Sequence, residues 1–182
     1  MWQDRTTVRK GNLGEQIVHT HLENKGYVVY NPNTEGPHAF DKLAIRNKQD
    51  IIIAECKTKA RRNYYPDTGI DYRHFTEYKY IEERYNIPVY LFFVDEMLKK
   101  VYGNELSVLE EPRKVCFVRN GRQRVQQYPL TQNGIIYFPI TVMEDIAPLT
   151  ETDCSKLTTV STRRYEYSVS ATTDTSANIQ QQ

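Results

Sequence analysis

Between residues 8 and 25 the apolar positions follow a helical period. Leu13, Ile17 and His21, with Gly14, Val18 and Leu22, fall on one half of a helical wheel, and Gly26 is placed to stop the helix. The period then shortens to two. Tyr27-Val28-Val29-Tyr30 reads as a strand, followed by a turn-rich loop over 31–40. Residues 41–46 and 51–57 read as two strands joined by Asn47-Lys48-Gln49-Asp50, a tight hairpin connection. A loop holding Pro66 and Gly69 leads to a second helix capped by Asp71, its apolar face spaced by Phe75, Tyr78, Ile81 and Tyr85. Residues 88–94 form a buried strand by length and by β-branched and aromatic content, and short strand-like pieces follow at 100–102, 114–119, 122–128 and 135–138. The order α-β-β-β-α-β, then further β, specifies an α/β fold: a mixed β-sheet flanked by helices, with an additional C-terminal β-hairpin.

The pattern fades after Thr150. Twelve of the thirty-two residues from 151 to 182 are Ser or Thr, and Leu157, Val160, Val169 and Ile179 are scattered. Such a stretch buries too little to offset the entropy of ordering it. The expected division is therefore a domain over 1–150 and a flexible Ser/Thr-rich tail over 151–182, in which 163–169 could add an edge strand. A length of 182 residues suits one domain with an appendage. The longest apolar runs, 89–94 and 135–140, fall short of the ~18–20 residues that cross a bilayer, and the N-terminus lacks the apolar stretch of a secretory signal. Cys56, Cys116 and Cys154 are odd in number and far apart, which gives neither a disulfide framework nor a zinc module. A reducing, cytoplasmic setting with no membrane partner is the expectation. Twenty-four Lys and Arg against twenty-three Asp and Glu leave a charge of +1, which points to no polyanion, and fourteen tyrosines stand out beside six Phe.

Position along the chain carries more than composition. Glu-x-Lys occurs three times, at Glu23-Lys25, Glu55-Lys57 and Glu77-Lys79. Only the middle copy lies on a strand, behind the apolar run Ile51-Ile52-Ile53-Ala54. Residues two apart on a strand share a face, so Glu55 and Lys57 project together and Cys56 points the other way. Asp41 opens the partner strand fourteen positions earlier. A regular two-residue loop at Lys48-Gln49 would pair Asp41 with Cys56, so an odd loop or a bulge is required for Asp41 to face Glu55. Glu15 lies at the margin of its helix's apolar arc, where a carboxylate can lean toward that sheet end.

Gly11-Asn12-Leu13-Gly14-Glu15 on a first helix, a strand opening at Asp41, and Glu55-Cys56-Lys57 on the next resemble the PD-(D/E)XK nuclease superfamily over roughly 9–96. The likeness is greatest to restriction-endonuclease-like and Holliday-junction-resolvase-like members. The resemblance implies a restriction-endonuclease-like fold and hydrolysis of DNA phosphodiester bonds, as an endonuclease, with Mg²⁺ or Mn²⁺. It implies that Asp41 and Glu55, joined by the backbone carbonyl of Cys56, bind the metal. Lys57 would position or activate the attacking water, and Glu15 would be an accessory carboxylate, giving a catalytic set of Glu15, Asp41, Glu55 and Lys57. Phe40 stands where the family often has Pro, and the second helix has no clear Gln-x-x-x-Tyr, which separates the chain from the RecB-like branch. Resolvase-like members cut as dimers, so a homodimer is compatible with the resemblance. The residue types suit the chemistry: a hard cation held by carboxylates lowers the pKa of its water and screens developing phosphate charge.

The segment from Lys57 to Arg62 carries four cations and no acid, and runs into Tyr64 and Tyr65. Lys59, Arg61 and Arg62 are the candidates to hold phosphates flanking the scissile bond, and a tyrosine could stack on an unpaired base. A second acid-free stretch holds Arg113, Lys114, Arg119, Arg122 and Arg124 around Asn120-Gly121, a hairpin-turn signal. His19 and His21 diverge on their helix, His38 lies near Asp41, and His74 reads as a helix-surface residue. Two other readings compete: a DNA-binding component of a DNA-processing assembly without its own cleavage, and a nuclease acting on RNA or on an unusual DNA structure. A salt-bridged surface hairpin with no site is the bland alternative to all three.

Overall fold

The computed structural model describes residues 5–32 and 39–160. In chain order the first elements are α1 (Thr6–Asn24), β1 (Val28–Tyr30), β2 (Lys42–Asn47), β3 (Asp50–Thr58), β4 (Asp67–Asp71), α2 (Tyr72–Tyr85) and β5 (Val89–Asp95). There follow β6 (Lys100–Glu105), α3 (Leu106–Leu109), β7 (Arg113–Arg119), β8 (Arg122–Tyr128), β9 (Leu130–Gln132), β10 (Ile135–Pro139), β11 (Glu144–Pro148) and α4 (Glu151–Val160). Six strands form the central sheet in the order β1-β2-β3-β5-β6-β11. Only β3 and β5 are parallel within it. A three-stranded sheet, β4-β10-β9, and the β7-β8 hairpin complete the fold.

Alternation along the central strands feeds two cores. On one face Ile53, Leu91 and Phe93 pack with Tyr78 and Ile81 of α2. On the other, Ala54, Cys56, Phe92 and Val94 pack with Val18 and Leu22 of α1 and Leu157 of α4. The arc expected for the first helix is the one that is buried: Gly14, Val18 and Leu22, four residues apart. Gly14 lets the helix descend onto the end of β3, because a Cβ there would lie 1.8 Å from Thr58 Oγ1.

The tail boundary expected at Thr150 is corrected. Residues 151–160 form α4, packed against α1, with Leu157 fully buried. That burial is worth about 1.5–3 kcal/mol, and Val160 at the end of the helix adds to it. Residues 161–182, including the suggested edge strand at 163–169, and residues 33–38, including His38, lie outside the described residues. The loop expected after the β2-β3 hairpin contains a strand, β4, paired with β10. Gly69 permits that pairing, since a Cβ would sit 2.3 Å from the Ile136 carbonyl oxygen. Asp71 precedes α2 as expected but makes no side-chain capping hydrogen bond, and Tyr85 is exposed rather than core. At the β7-β8 tip, Asn120 and Gly121 both have positive φ, as a two-residue hairpin turn of this type requires.

Candidate active site

The β2-β3 register decides whether the acids meet. Lys42 is opposite Ala54, and the pairing continues to Ile45 opposite Ile51. It then shifts, so that Asn47 pairs with Asp50 and Arg46 is the extra residue. This is the irregularity the hairpin needs. One more step along the same register sets Asp41 opposite Glu55. Two hydrogen bonds tie the pair: the Asp41 N–H donates to Glu55 Oε2 at 3.3 Å, and the Cys56 N–H donates to Asp41 Oδ2 at 2.8 Å.

Glu55 is 2% exposed, an uncommon place for a carboxylate. Its Oε1 accepts from Lys57 Nζ at 2.5 Å, and the Tyr78 phenol of α2 lies near the same carboxyl and favours its charged form. Burial pushes the Glu55 carboxyl above the ordinary value, and the Asp41 charge pushes the same way, against the attraction of Lys57. Burial would lower the Lys57 ammonium, but the Glu55 and Asp41 carboxylates hold it above its usual value. The Tyr78 phenol is raised far beyond the normal range by burial and by Glu55. Lys57 also lies 5.9 Å from the Tyr78 ring centroid. Tyr78 is the residue that sequence reading missed. The available signal was a hydroxyl at a buried position of the α2 face.

Glu15 sits on α1, which covers the opposite face. Its Oε2 lies 3.9 Å from Nζ of the buried Lys42, the neighbour of Asp41, and Lys42 also donates to Asn31 Oδ1 at 3.0 Å. The helix therefore brings Glu15 to the same sheet end, where it pairs with Lys42.

Among the described residues no three His, Cys, Asp or Glu side chains gather into a metal cluster. Two carboxylates on facing strand positions do, and Mg²⁺ usually needs one or two with several waters. The Cys56 N–H points at Asp41, and in an extended strand the carbonyl of the same residue leaves on the same side. The donors are thus hard oxygens, and Glu55 is held where burial and the Asp41 charge disfavour its ionised form. A dication relieves both penalties, so the residues fit such an ion.

The three basic candidates separate. Lys59 Nζ donates to the Gly69 carbonyl at 2.9 Å. Arg61 is exposed, and its backbone N–H is anchored to the buried Asp95 carboxylate at 2.9 Å. Arg62 departs from the expectation. It is turned inward, with Nε and Nη2 each 2.5 Å from the carboxylate of fully buried Asp67. Its guanidinium lies 4.1 Å from the Tyr65 ring centroid and 3.8 Å from that of Tyr137. A buried acid supplied a stronger partner than solvent-borne phosphate.

The tyrosine excess also finds its place. Besides Tyr78, Tyr27 donates to Asp50 (2.7 Å), Tyr90 to Glu144 (3.4 Å), Tyr102 to Asp95 (3.1 Å) and Tyr128 to Asp67 (2.5 Å). For Asp67 and Asp95 the phenols satisfy carboxylates that the fold carries inward.

No family model matches the chain, and no curated protein matches it. Among solved structures it is similar to Hjc, a Holliday junction resolvase from Archaeoglobus fulgidus, with a TM-score of 0.50 and 11% identity, over 75% of this chain and 92% of that one. Among the described residues no helix is long and apolar enough to cross a membrane. At that identity the likeness is one of fold: the chain shares the mixed-sheet architecture of a resolvase nuclease.

Proposed function

We propose that this chain is a divalent-metal-dependent nuclease that hydrolyses DNA phosphodiester bonds, as an endonuclease, with Mg²⁺ or Mn²⁺. The observation that carries the reading is the bulged hairpin that sets Asp41 opposite a buried, pKa-raised Glu55 beside Lys57. Perturbed acids of this kind concentrate where chemistry is done. Asp41, Glu55 and the Cys56 carbonyl would hold the ion, which supplies an activated water and screens phosphate charge. Lys57 then orients that water or meets the phosphate, its ammonium kept charged by the acids around it. Tyr78 favours the charged form of the Glu55 carboxyl, and Lys42 holds Glu15 near the same end.

The Lys57-Glu55 ion pair favours a second reading, in which the pair stays closed and the protein binds DNA without cutting it. Nicking of supercoiled plasmid, with Mg²⁺ or Mn²⁺ against EDTA, separates the two. Nuclease action predicts metal-dependent nicking that Asp41→Asn and Glu55→Gln reduce by more than the roughly 10–100-fold that changes outside the ligand set cost. Equal nicking by wild type and Asp41→Asn would end the catalytic claim.

A further inference from the structure

The two acid-free segments are far apart in the sequence, yet the structure joins them. The loop between β3 and β4 meets the distal half of the β7-β8 hairpin around a cleft of about 290 Å³, lined by Arg61, Asn63, Tyr64, Tyr65, Phe117 and Arg119 among others. A second hollow of about 410 Å³ shares Tyr65, Phe117 and Arg119 and continues along β8 to Arg124. The junction is ordered by aromatic and cationic contacts. Arg119 donates to the Tyr65 hydroxyl, and its guanidinium lies 4.7 Å from the Tyr65 ring centroid and 5.8 Å from that of Tyr64. Tyr65 in turn meets Phe117 at 5.7 Å between centroids.

The charges here sort into two groups. Arg62 and Arg113 are paired with Asp67 and Glu111. Among the described residues the guanidiniums of Arg61, Arg119 and Arg124 form no salt bridge, and no acid lines either hollow. Tyr64 is 68% exposed beside the Arg119 guanidinium. Docking of the hairpin accounts for Tyr65 and Phe117 but leaves Tyr64 and Arg61 exposed. Arg61 follows Lys57 by four positions, so at most about 14 Å of chain divides this cleft from the proposed site.

We infer that this cleft binds an unpaired nucleotide of the strand being cut, with Tyr64 stacked on the base and Arg61 and Arg119 on the flanking phosphates. The inference rests on the nuclease reading and adds the substrate class: a strand with an unpaired stretch close to the scissile bond. In a duplex the base faces are already stacked on one another, so an aromatic platform rewards unpaired bases alone, whereas the guanidiniums attract any backbone.

The test uses the full chain in EDTA, so that no strand is cut, with fluorescence anisotropy of labelled single-stranded DNA, the same sequence in RNA, a flapped duplex and a blunt duplex. Tyr64→Ala should raise the dissociation constant for the flap and for at least one single strand about 5- to 100-fold, with blunt-duplex binding unchanged and Tyr64→Trp restoring the loss. Arg61→Gln should weaken every probe and reduce the salt slope by about 1. A Tyr64 effect on DNA or on RNA supports the inference and identifies the sugar; one of equal size on the blunt duplex, or none on any probe, overturns it. Plasmid nicking is scored separately. Tyr64-dependent binding without metal-dependent nicking would leave the cleft standing and the nuclease reading lost. Intact nicking with no Tyr64 dependence would do the reverse.

Discussion

Gly14→Ala tests the placement of α1 against the strand that carries Glu55 and Lys57. An alanine Cβ at this position lies 1.8 Å from Thr58 Oγ1, 3.0 Å from its Cβ and 3.2 Å from its Cγ2. Rotating Thr58 moves the hydroxyl away, but the contact with its Cβ stays, and a β-branched side chain has few other rotamers. Overpacking of this kind costs about 1–3 kcal/mol, while replacing Gly by Ala inside a helix returns about 0.8–1.0 kcal/mol. The net expectation is a loss of up to about 2 kcal/mol, with Tm lowered about 2–4 °C for each kcal/mol in a chain of this size. Thr58 Oγ1 is buried with no hydrogen-bond partner, so Thr58→Ala alone should cost little. In the double variant most of the clash is gone, and urea titrations of the four proteins should give a coupling of about 1 kcal/mol or more. A Gly14→Ala protein as stable as wild type, with zero coupling, would show that helix and strand do not approach in this way.

Two further outcomes follow from the site and its surroundings. Arg62→Ala strands the fully buried Asp67 with only the Tyr128 hydroxyl among its named side-chain partners, and should cost about 3–5 kcal/mol in denaturant titration; a loss of DNA affinity with stability unchanged would mean that Arg62 faces phosphate after all. Tyr78→Phe removes a phenol that favours the Glu55 carboxylate, so the Glu55 pKa, read by carboxyl ¹³C NMR without metal, should rise further; a fall would refute that influence. Because that pKa already exceeds the free value of 4.5, Glu55 lends stability that is complete below 4.5 and lost as pH rises through the folded value, and Tyr78→Phe should move that loss to higher pH.

Features set over short stretches of chain were legible. The hairpin from Asp41 to Lys57 spans few residues, its period of two fixes the faces, and the need for an irregularity followed from the position of one carboxylate. Asn120-Gly121 announced its turn for the same local reason. What escaped depends on distant partners. β4 became a strand because β10, far along the chain, pairs with it. Arg62 turned inward because Asp67 is buried and is also bonded by Tyr128, sixty-one residues away. The two basic segments meet through Arg119 and Tyr65, fifty-four residues apart. Leu157 and Val160 looked too sparse to order a tail, but they need only complete a surface that α1 already offers. Periodicity cannot report a surface assembled from the other end of the molecule.

The phenol-carboxylate pairs also govern what a polyanion meets. Asp95 is fully buried and is held by backbone N–H groups and the Tyr102 hydroxyl, without a Lys or Arg side chain among its named partners. Its negative charge is withdrawn from solvent without taking a cation with it. A chain whose formal charges nearly cancel can thus turn an arginine-bearing cleft outward. Its isoelectric point reports the sum over inside and outside, whereas the ionic-strength dependence of association reports the outer layer alone.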